Sequence, residues 1–153
     1  MSAAAQRHVR VYNEAGRAGV PASRSFETWV VLALGARRRG PREISIALVG
    51  PRAGRRLNRQ FRGKDYATNV LSFPYEAAPG ERSPLLGELV LCPSVVRREA
   101  AEQGKALRDH YAHLTIHGVL HLLGYDHENE RDARRMESLE RRLLAQLGVA
   151  DPY

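Results

Sequence analysis

The chain contains a single cysteine, Cys92, among its 153 residues. One cysteine excludes an intramolecular disulfide and suits a reducing compartment. Apolar runs approaching the roughly 18 residues that span a bilayer are also missing, and residues 1–10 lack the apolar core of a signal peptide. We therefore expect a cytoplasmic protein that has no membrane partner.

Lysine is scarce as well, because 22 of the 24 basic residues are arginine. With 17 acidic residues, the formal net charge is +7 and the isoelectric point is near 10.2. A strongly basic chain favours a polyanionic partner such as RNA. A genomic base composition rich in arginine codons would produce the same bias, so the charge alone does not identify the partner.

The hydrophobic pattern predicts one domain, spanning residues 1–153, in which strands and helices are mixed. Alternating residues indicate strands at 8–12, 43–49, 69–73 and 88–91. Helical spacing indicates five helices. The first runs from Ser23 or Ser25 to about Arg38, and the second spans 51–61, with Leu57 and Phe61 facing inward. The others run from Pro93 to a break at Gly104, over 105–123, and from about Met136 to Leu147. This order predicts an α+β fold, with a small mixed sheet packed against several helices and a buried central helix.

A run of eleven residues, H-G-V-L-H-L-L-G-Y-D-H from His117 to His127, predicts a three-histidine metal site. His117 and His121 are four apart and lie on one face of a helix. Gly124 suits the left-handed turn that would return His127 toward them. Three nitrogen ligands with one open coordination position are typical of catalytic zinc, whereas structural zinc usually has four protein ligands.

The histidines of this predicted helix form one stripe. His110, His113, His117 and His121 fall within about 80° of one another, opposite an apolar face. The stripe is expected to line a cleft, which makes His110 and His113 candidates either to support a ligand from behind or to face the substrate, although a hydrogen-bonded histidine at the rim is the simpler interpretation of both.

Gly118 distinguishes this site from that of metzincin proteases, whose spacing it shares. In those enzymes a glutamate follows the first histidine and acts as general base. Glycine cannot accept a proton from water. The sequence therefore keeps the metal ligands but predicts chemistry other than peptide hydrolysis.

A second polar segment, at residues 57–74, has the composition of a phosphate site. Arg62 presents a planar fork of donors that matches two phosphate oxygens, and Lys64 presents a point charge. Both can stabilise the charge that grows during phosphodiester cleavage. A polar loop held by surface ion pairs is an equal alternative at this stage.

Together, the histidine run and the segment F-R-G-K-D-Y-A-T-N-V-L-S-F-P resemble the YbeY family of bacterial endoribonucleases over about residues 43–147. The G-E-L-V-L strand at 87–91 and the D-H-Y segment at 109–111 also match. One departure is Tyr66-Ala67, where many members have a proline before the threonine.

The resemblance implies metal-dependent cleavage of single-stranded RNA, 3′-end maturation of 16S rRNA and ribosome quality control. It implies that His117, His121 and His127 hold one zinc ion per chain and that Arg62 is needed for cleavage. The implied partners are rRNA and the small ribosomal subunit, with a ribosome-associated GTPase or a small-subunit ribosomal protein as candidate protein partners.

Several alternatives stay open from the sequence. Asp126 either orients the water or a ligand histidine, or caps a helix. The nucleophile is either water or the RNA 2′-hydroxyl, and imidazole ligands suit copper, nickel and iron as well as zinc. Two rival functions are a zinc hydrolase of a peptide or other non-RNA substrate and a non-catalytic ribosome-assembly factor with a structural metal.

Overall fold

A computed structural model describes residues 8–35 and 40–153 of the chain. In this part, strands and helices alternate irregularly along one domain, which confirms the α+β prediction. The elements are β1 (Val9–Asn13), α1 (Ser23–Leu34), β2 (Glu43–Leu48), α2 (Pro51–Arg62), β3 (Val70–Pro74), β4 (Leu85–Leu91), α3 (Pro93–Glu102), α4 (Leu107–Leu122) and α5 (Glu130–Gln146).

The four strands form one mixed sheet in the order β1-β2-β4-β3. β1 pairs with β2, and β2 with β4, in parallel register, whereas β3 runs antiparallel to β4. Parallel neighbours need a crossover, and α1 and α2 begin the two crossovers. The strand order places the antiparallel strand β3 at an edge of the sheet, where it contacts the central helix α4.

The two faces of the sheet are buried by different helices. One face packs against α1 and α4 in the main core, where Trp29, Ile46 and Ile116 are almost completely buried. The other face presents Leu71 and Val90 to α2. As a result α4 lies within the protein, while the outer side of α2 faces solvent.

Several predicted boundaries are corrected by the structure. Helix α1 ends at Leu34, where Gly35 takes a φ of 58°; residues 36–39 of the longer predicted helix lie outside the described residues. Helix α1 begins at Ser23, and Ala22 occupies the N-cap position without a side-chain hydrogen bond, so neither Ser23 nor Ser25 caps the helix. Strand β4 begins at Leu85, because residues 85–87 pair with β2 and β3 although the preceding loop is rich in proline and glycine.

None of the described helices combines the length and the apolar character that crossing a bilayer requires.

Candidate metal centre

Helix α4 brings two of the predicted ligands together. His117 and His121 lie one turn apart, and their Nε2 atoms are 3.1 Å apart. Their rings are 4.6 Å apart between centroids and nearly perpendicular, at 80°. The spacing of four residues thus places two imidazole nitrogens at one point, as the sequence predicts.

The turn after α4 returns the third histidine to the same point. Gly124 adopts a φ of 101°, and the Tyr125 amide donates to the Leu120 carbonyl at 3.0 Å, which closes the helix end. The His127 ring then lies 4.9 Å from those of both His117 and His121. One ligand atom from each of the three side chains lies within 4.8 Å of the others.

This donor set fits a zinc ion. Two nitrogens on a tetrahedral zinc, each at a bond length of 2.0–2.1 Å, are separated by about 3.3 Å. The two Nε2 atoms on α4 already have nearly this separation. In residues 8–35 and 40–153, no fourth histidine, cysteine or carboxylate joins the trio, which is the pattern of a catalytic site rather than a structural one.

The surroundings of His121 favour its neutral imidazole. Burial lowers the pKa of His121, and the neighbouring His117 and His127 lower it further. Metal ligation requires the unprotonated nitrogen, so protons compete less strongly for this ring.

Glu140 on α5 is a functional candidate that the sequence reasoning missed. Its side chain is completely buried, and its Oε1 lies 2.7 Å from His117 Nδ1. Because a carboxylate can only accept, Nδ1 carries the proton and donates it, which leaves the lone pair on Nε2 facing the other two histidines. A carboxylate behind a ligating histidine is a common arrangement at zinc sites, where it fixes the orientation of the ring.

Two further donors stabilise the Glu140 carboxylate. His113 Nε2 lies 3.0 Å from its Oε2, and the Tyr153 hydroxyl donates to the same oxygen. Burial by itself raises the pKa of Glu140, but the hydrogen bonds from His113, His117 and Tyr153 outweigh it and lower the pKa to about 2. The group is therefore a buried anion at neutral pH. The ligand atoms of His113, His117 and Glu140 also lie close enough together to hold a metal. However, both histidines contact Glu140 at hydrogen-bond distances, so we assign these contacts to hydrogen bonds.

Gly118 is required by the packing of α4 on the sheet. A Cβ atom at this position would lie 2.7 Å from Leu89 Cδ2 and 3.3 Å from Ser72 Oγ. The Ser72 hydroxyl donates to the Gly118 carbonyl at 3.3 Å. A glutamate of the metzincin type therefore has no room here, because the position faces the sheet and not the cleft.

The histidines open into a cleft of about 750 Å³ at the β3 edge of the sheet. Arg62, at the C-terminal end of α2, lines the same cleft. Phe61 also lines it and is 57% exposed, with its ring edge-on to Phe73 at 5.0 Å. The predicted inward position of Phe61 is wrong, since its ring packs against Phe73 of the edge strand β3, beyond which the described sheet has no strand to cover it.

The other predicted site residues lie farther from the cleft. Lys64 is exposed in the turn after α2 and is not among the residues that line the cleft. Asp126 Oδ1 accepts from the Glu128 amide at 2.6 Å, and with His121 and His127 it lines a shallow depression next to the cleft. The cap of α5 is Asn129, so Asp126 does not cap that helix.

His110, the first histidine of the stripe, is only 3% exposed. Its Nε2 lies 2.9 Å from Glu99 Oε1, between α4 and α3. The expectation that it faces the cleft or its rim is therefore wrong; the adjoining helix covers it.

The fold and this geometry match proteins of one family. The family model of Endoribonuclease YbeY matches residues 13–148. Proteins named Endoribonuclease YbeY from Stenotrophomonas maltophilia strain R551-3 and from Alkalilimnicola ehrlichii are 58% and 57% identical to the chain. These alignments cover 90% and 93% of this chain and 87% of each relative.

A solution structure of a Thermotoga maritima protein superposes with a TM-score of 0.53 and 25% identity, covering 92% of this chain and 91% of that one. Together with the relatives of more than half identity, the family match over most of the domain shows that this chain belongs to the Endoribonuclease YbeY family.

Proposed function

We propose that the protein is a zinc-dependent endoribonuclease that cleaves single-stranded RNA. The observation that carries this proposal is the cleft in which the three converging imidazoles and Arg62 meet. The names of the relatives support the same activity, since each is called an endoribonuclease.

His117, His121 and His127 are the proposed ligands of one zinc ion. Bound zinc supplies Lewis acidity, which lowers the pKa of water and polarises a phosphoryl oxygen. Glu140 accepts a hydrogen bond from His117 Nδ1 and so would keep the Nε2 lone pair available to the metal. Neutral imidazoles suit several divalent metals, and zinc is proposed because the nitrogen separation and the three-ligand set agree with its catalytic sites.

Arg62 is the proposed catalytic cation. Arg62 lines the cleft with the histidines, and an arginine presents several donors in one plane. We propose that it binds the oxygens of the scissile phosphate and stabilises the additional negative charge of the transition state.

The aromatic lining of the cleft favours a single strand over a duplex. Phe61 is exposed and packs edge-on to the half-buried Phe73, and both line the cleft beside the proposed metal ligands. Unpaired bases stack on such surfaces, whereas the bases of a helix are already stacked on one another.

By the family resemblance, the proposed substrate is the 3′ end of 16S rRNA, which the enzyme would mature and monitor on the small ribosomal subunit in the cytoplasm. A ribosome-associated GTPase or a small-subunit ribosomal protein is the proposed protein partner. Lys64 is proposed as a phosphate contact outside the cleft, and His113 as a support for Glu140.

The test is cleavage of a single-stranded fragment from the 3′ end of precursor 16S rRNA by zinc-loaded protein. Chelation of the metal abolishes cleavage and added zinc restores it. Arg62→Ala lowers the rate by about 10²–10³, the loss typical of removing one transition-state donor, and leaves the zinc content unchanged. The matched control is Arg24→Ala, which removes an exposed arginine in α1 and should cleave like the parent.

Equal cleavage by the parent, Arg62→Ala and His121→Ala would overturn the enzyme proposal and leave a ribosome-assembly factor with a structural metal. Zinc-dependent cleavage of peptides faster than of RNA would instead support the peptide hydrolase.

A further inference from the structure

The charge pattern of helix α2 suits its own stability only in part: Arg59 and Arg62 lie in the last turn, where the helix dipole favours cations, but the arginines nearer the N-terminus do not benefit from it. The helix contains five arginines and no acidic residue in twelve positions. Arg52 lies in the first turn, where the positive end of the helix dipole disfavours a cation, and Arg52 and Arg56 repel each other as a like-charged pair four apart. On α5, by contrast, arginines alternate with Glu130, Asp132 and Glu137, so an arginine-rich composition alone does not produce this pattern.

Four of these arginines form one surface. All five arginines fall within about 120° of arc on the helix and extend over about 15 Å of its length; the four outside the Arg55–Asp65 pair are Arg52, Arg56, Arg59 and Arg62. We call these four the α2 arginine surface. The opposite side of α2, at Gly54 and Asn58, is buried against the sheet, so the arginines point to solvent.

The fifth arginine shows how the others differ. Arg55 holds Asp65 through two hydrogen bonds of 2.8 and 2.9 Å. Those contacts lower the pKa of Asp65, with a smaller contribution from the charge of Arg59. No member of the α2 arginine surface forms a salt bridge within residues 8–35 and 40–153, and all four side chains are exposed.

The surface leads directly to the metal centre. Arg62 is its last member and also lines the cleft with the three histidines. Next to it, Phe61 is exposed at the rim. A polyanion that follows the arginines from Arg52 to Arg62 therefore reaches the point where the proposed cleavage takes place.

We infer that single-stranded RNA binds along the α2 arginine surface, with its phosphates against Arg52, Arg56 and Arg59, before it enters the cleft at Arg62. This inference rests on the proposed function, because it identifies the path by which the substrate of that site arrives. Repulsion among the unpaired arginines decreases when phosphates bind them, so RNA would stabilise α2 while α2 positions the RNA.

The test compares two triple variants that lose equal charge. Arg52→Gln/Arg56→Gln/Arg59→Gln removes the surface apart from Arg62. Arg10→Gln/Arg17→Gln/Arg24→Gln removes three exposed arginines on β1, the following loop and α1, at the opposite edge of the sheet. Thermal unfolding of both proteins shows that they are folded; the first should be at least as stable as the parent.

Binding of a short fluorescent single-stranded oligoribonucleotide is measured by anisotropy across a salt series. Zinc-loaded protein carrying Arg62→Ala is used throughout, so that the probe is not consumed. Each lost phosphate contact on a single strand lowers the slope of log K against log salt by about 0.7, so the α2 triple variant loses about 2 from the slope. This corresponds to an affinity loss on the order of a hundredfold at 0.1 M salt, whereas the control variant keeps the parent's slope.

Cleavage with Arg62 restored separates binding from chemistry. The α2 variant should raise KM and keep kcat, because its arginines do not touch the scissile phosphate. A slope equal to that of the control variant would overturn the inference and leave the surface for an acidic protein partner. Failure of the parent to cleave RNA would refute the proposed function alone, since the difference in slope would still show where RNA binds.

Discussion

Replacing Glu140 should weaken zinc binding although this residue is not a ligand. In the parent, Glu140 Oε1 accepts a hydrogen bond from His117 Nδ1 at 2.7 Å, and its Oε2 accepts from His113 and Tyr153. Glutamine keeps the shape and one acceptor but loses the charge and presents an amide donor to one of the partners. Leucine keeps most of the volume and removes both acceptors.

The expected magnitudes follow from these contacts. Loss of a carboxylate behind a metal-bound histidine typically costs 10–100-fold in affinity, or about 1.4–2.7 kcal/mol. We expect Glu140→Gln to lie near about tenfold, since His117 can still donate to the glutamine oxygen, and Glu140→Leu near about a hundredfold.

The assay is competition for zinc against a chromophoric chelator at neutral pH. The matched control is Glu99→Gln, because Glu99 also accepts from a mostly buried α4 histidine, His110, at 2.9 Å, but that pair lies away from the trio. Glu99→Gln should affect unfolding and leave the zinc affinity unchanged. A folded Glu140→Leu protein that binds zinc as tightly as the parent would refute the reasoning.

Three further outcomes are expected. Gly118→Ala should lower the free energy of unfolding measured in urea. Overpacking against buried Leu89 costs about 1–3 kcal/mol, whereas alanine regains at most about 1 kcal/mol of helix propensity. A variant more stable than the parent would contradict the 2.7 Å approach of the added Cβ to Leu89. In metal-free protein, the pKa of Glu140 is about 2 in the folded state against an ordinary 4.5, so its contribution to stability is complete above pH 4.5 and lost as the pH falls toward 2. Urea titrations of parent and Glu140→Gln should therefore differ in acid dependence over that window, and parallel curves would count against the buried anion. Arg62→Lys should cleave at a rate between those of the parent and Arg62→Ala with unchanged zinc content, since lysine keeps the charge and loses the fork; a rate equal to the parent's would show that charge alone suffices.

The convergence of the three histidines was predictable because it depends on local geometry. Helical periodicity places His117 above His121, and the glycine at 124 permits the turn that returns His127. All of this information lies within eleven consecutive residues. That Arg62 shares their cleft followed only from the family resemblance, since no local rule connects α2 to α4.

Glu140 could have been found from the pattern of the last helix. Met136 and Leu143 define the inner face of α5, and position 140 lies between them at helical spacing. A carboxylate in the middle of an apolar face must have buried partners, which is a signal in itself. Its partners are 23 and 27 residues earlier in the chain, and sequence spacing does not reveal contacts at that separation.

The errors have a common physical cause in tertiary contacts. Phe61 has the spacing of an inward residue, but it packs against Phe73 of the last strand, β3, and the described sheet stops there. Leu85 to Gly87 follow a loop-like stretch, yet pairing with Glu43 on one side and Pro74 on the other extends the strand. Each outcome depends on where a distant element stops.

The close approach of α4 to the sheet at Gly118 also determines how the site can be studied. Two of the three imidazoles belong to a helix that packs in the main core against the sheet and the other helices. We therefore expect that a metal held by these histidines can be removed and exchanged while the protein stays folded, which thermal unfolding of the chelator-treated protein would check. Cobalt loaded in its place would provide visible absorption bands, through which changes around the ligands could be followed directly during turnover.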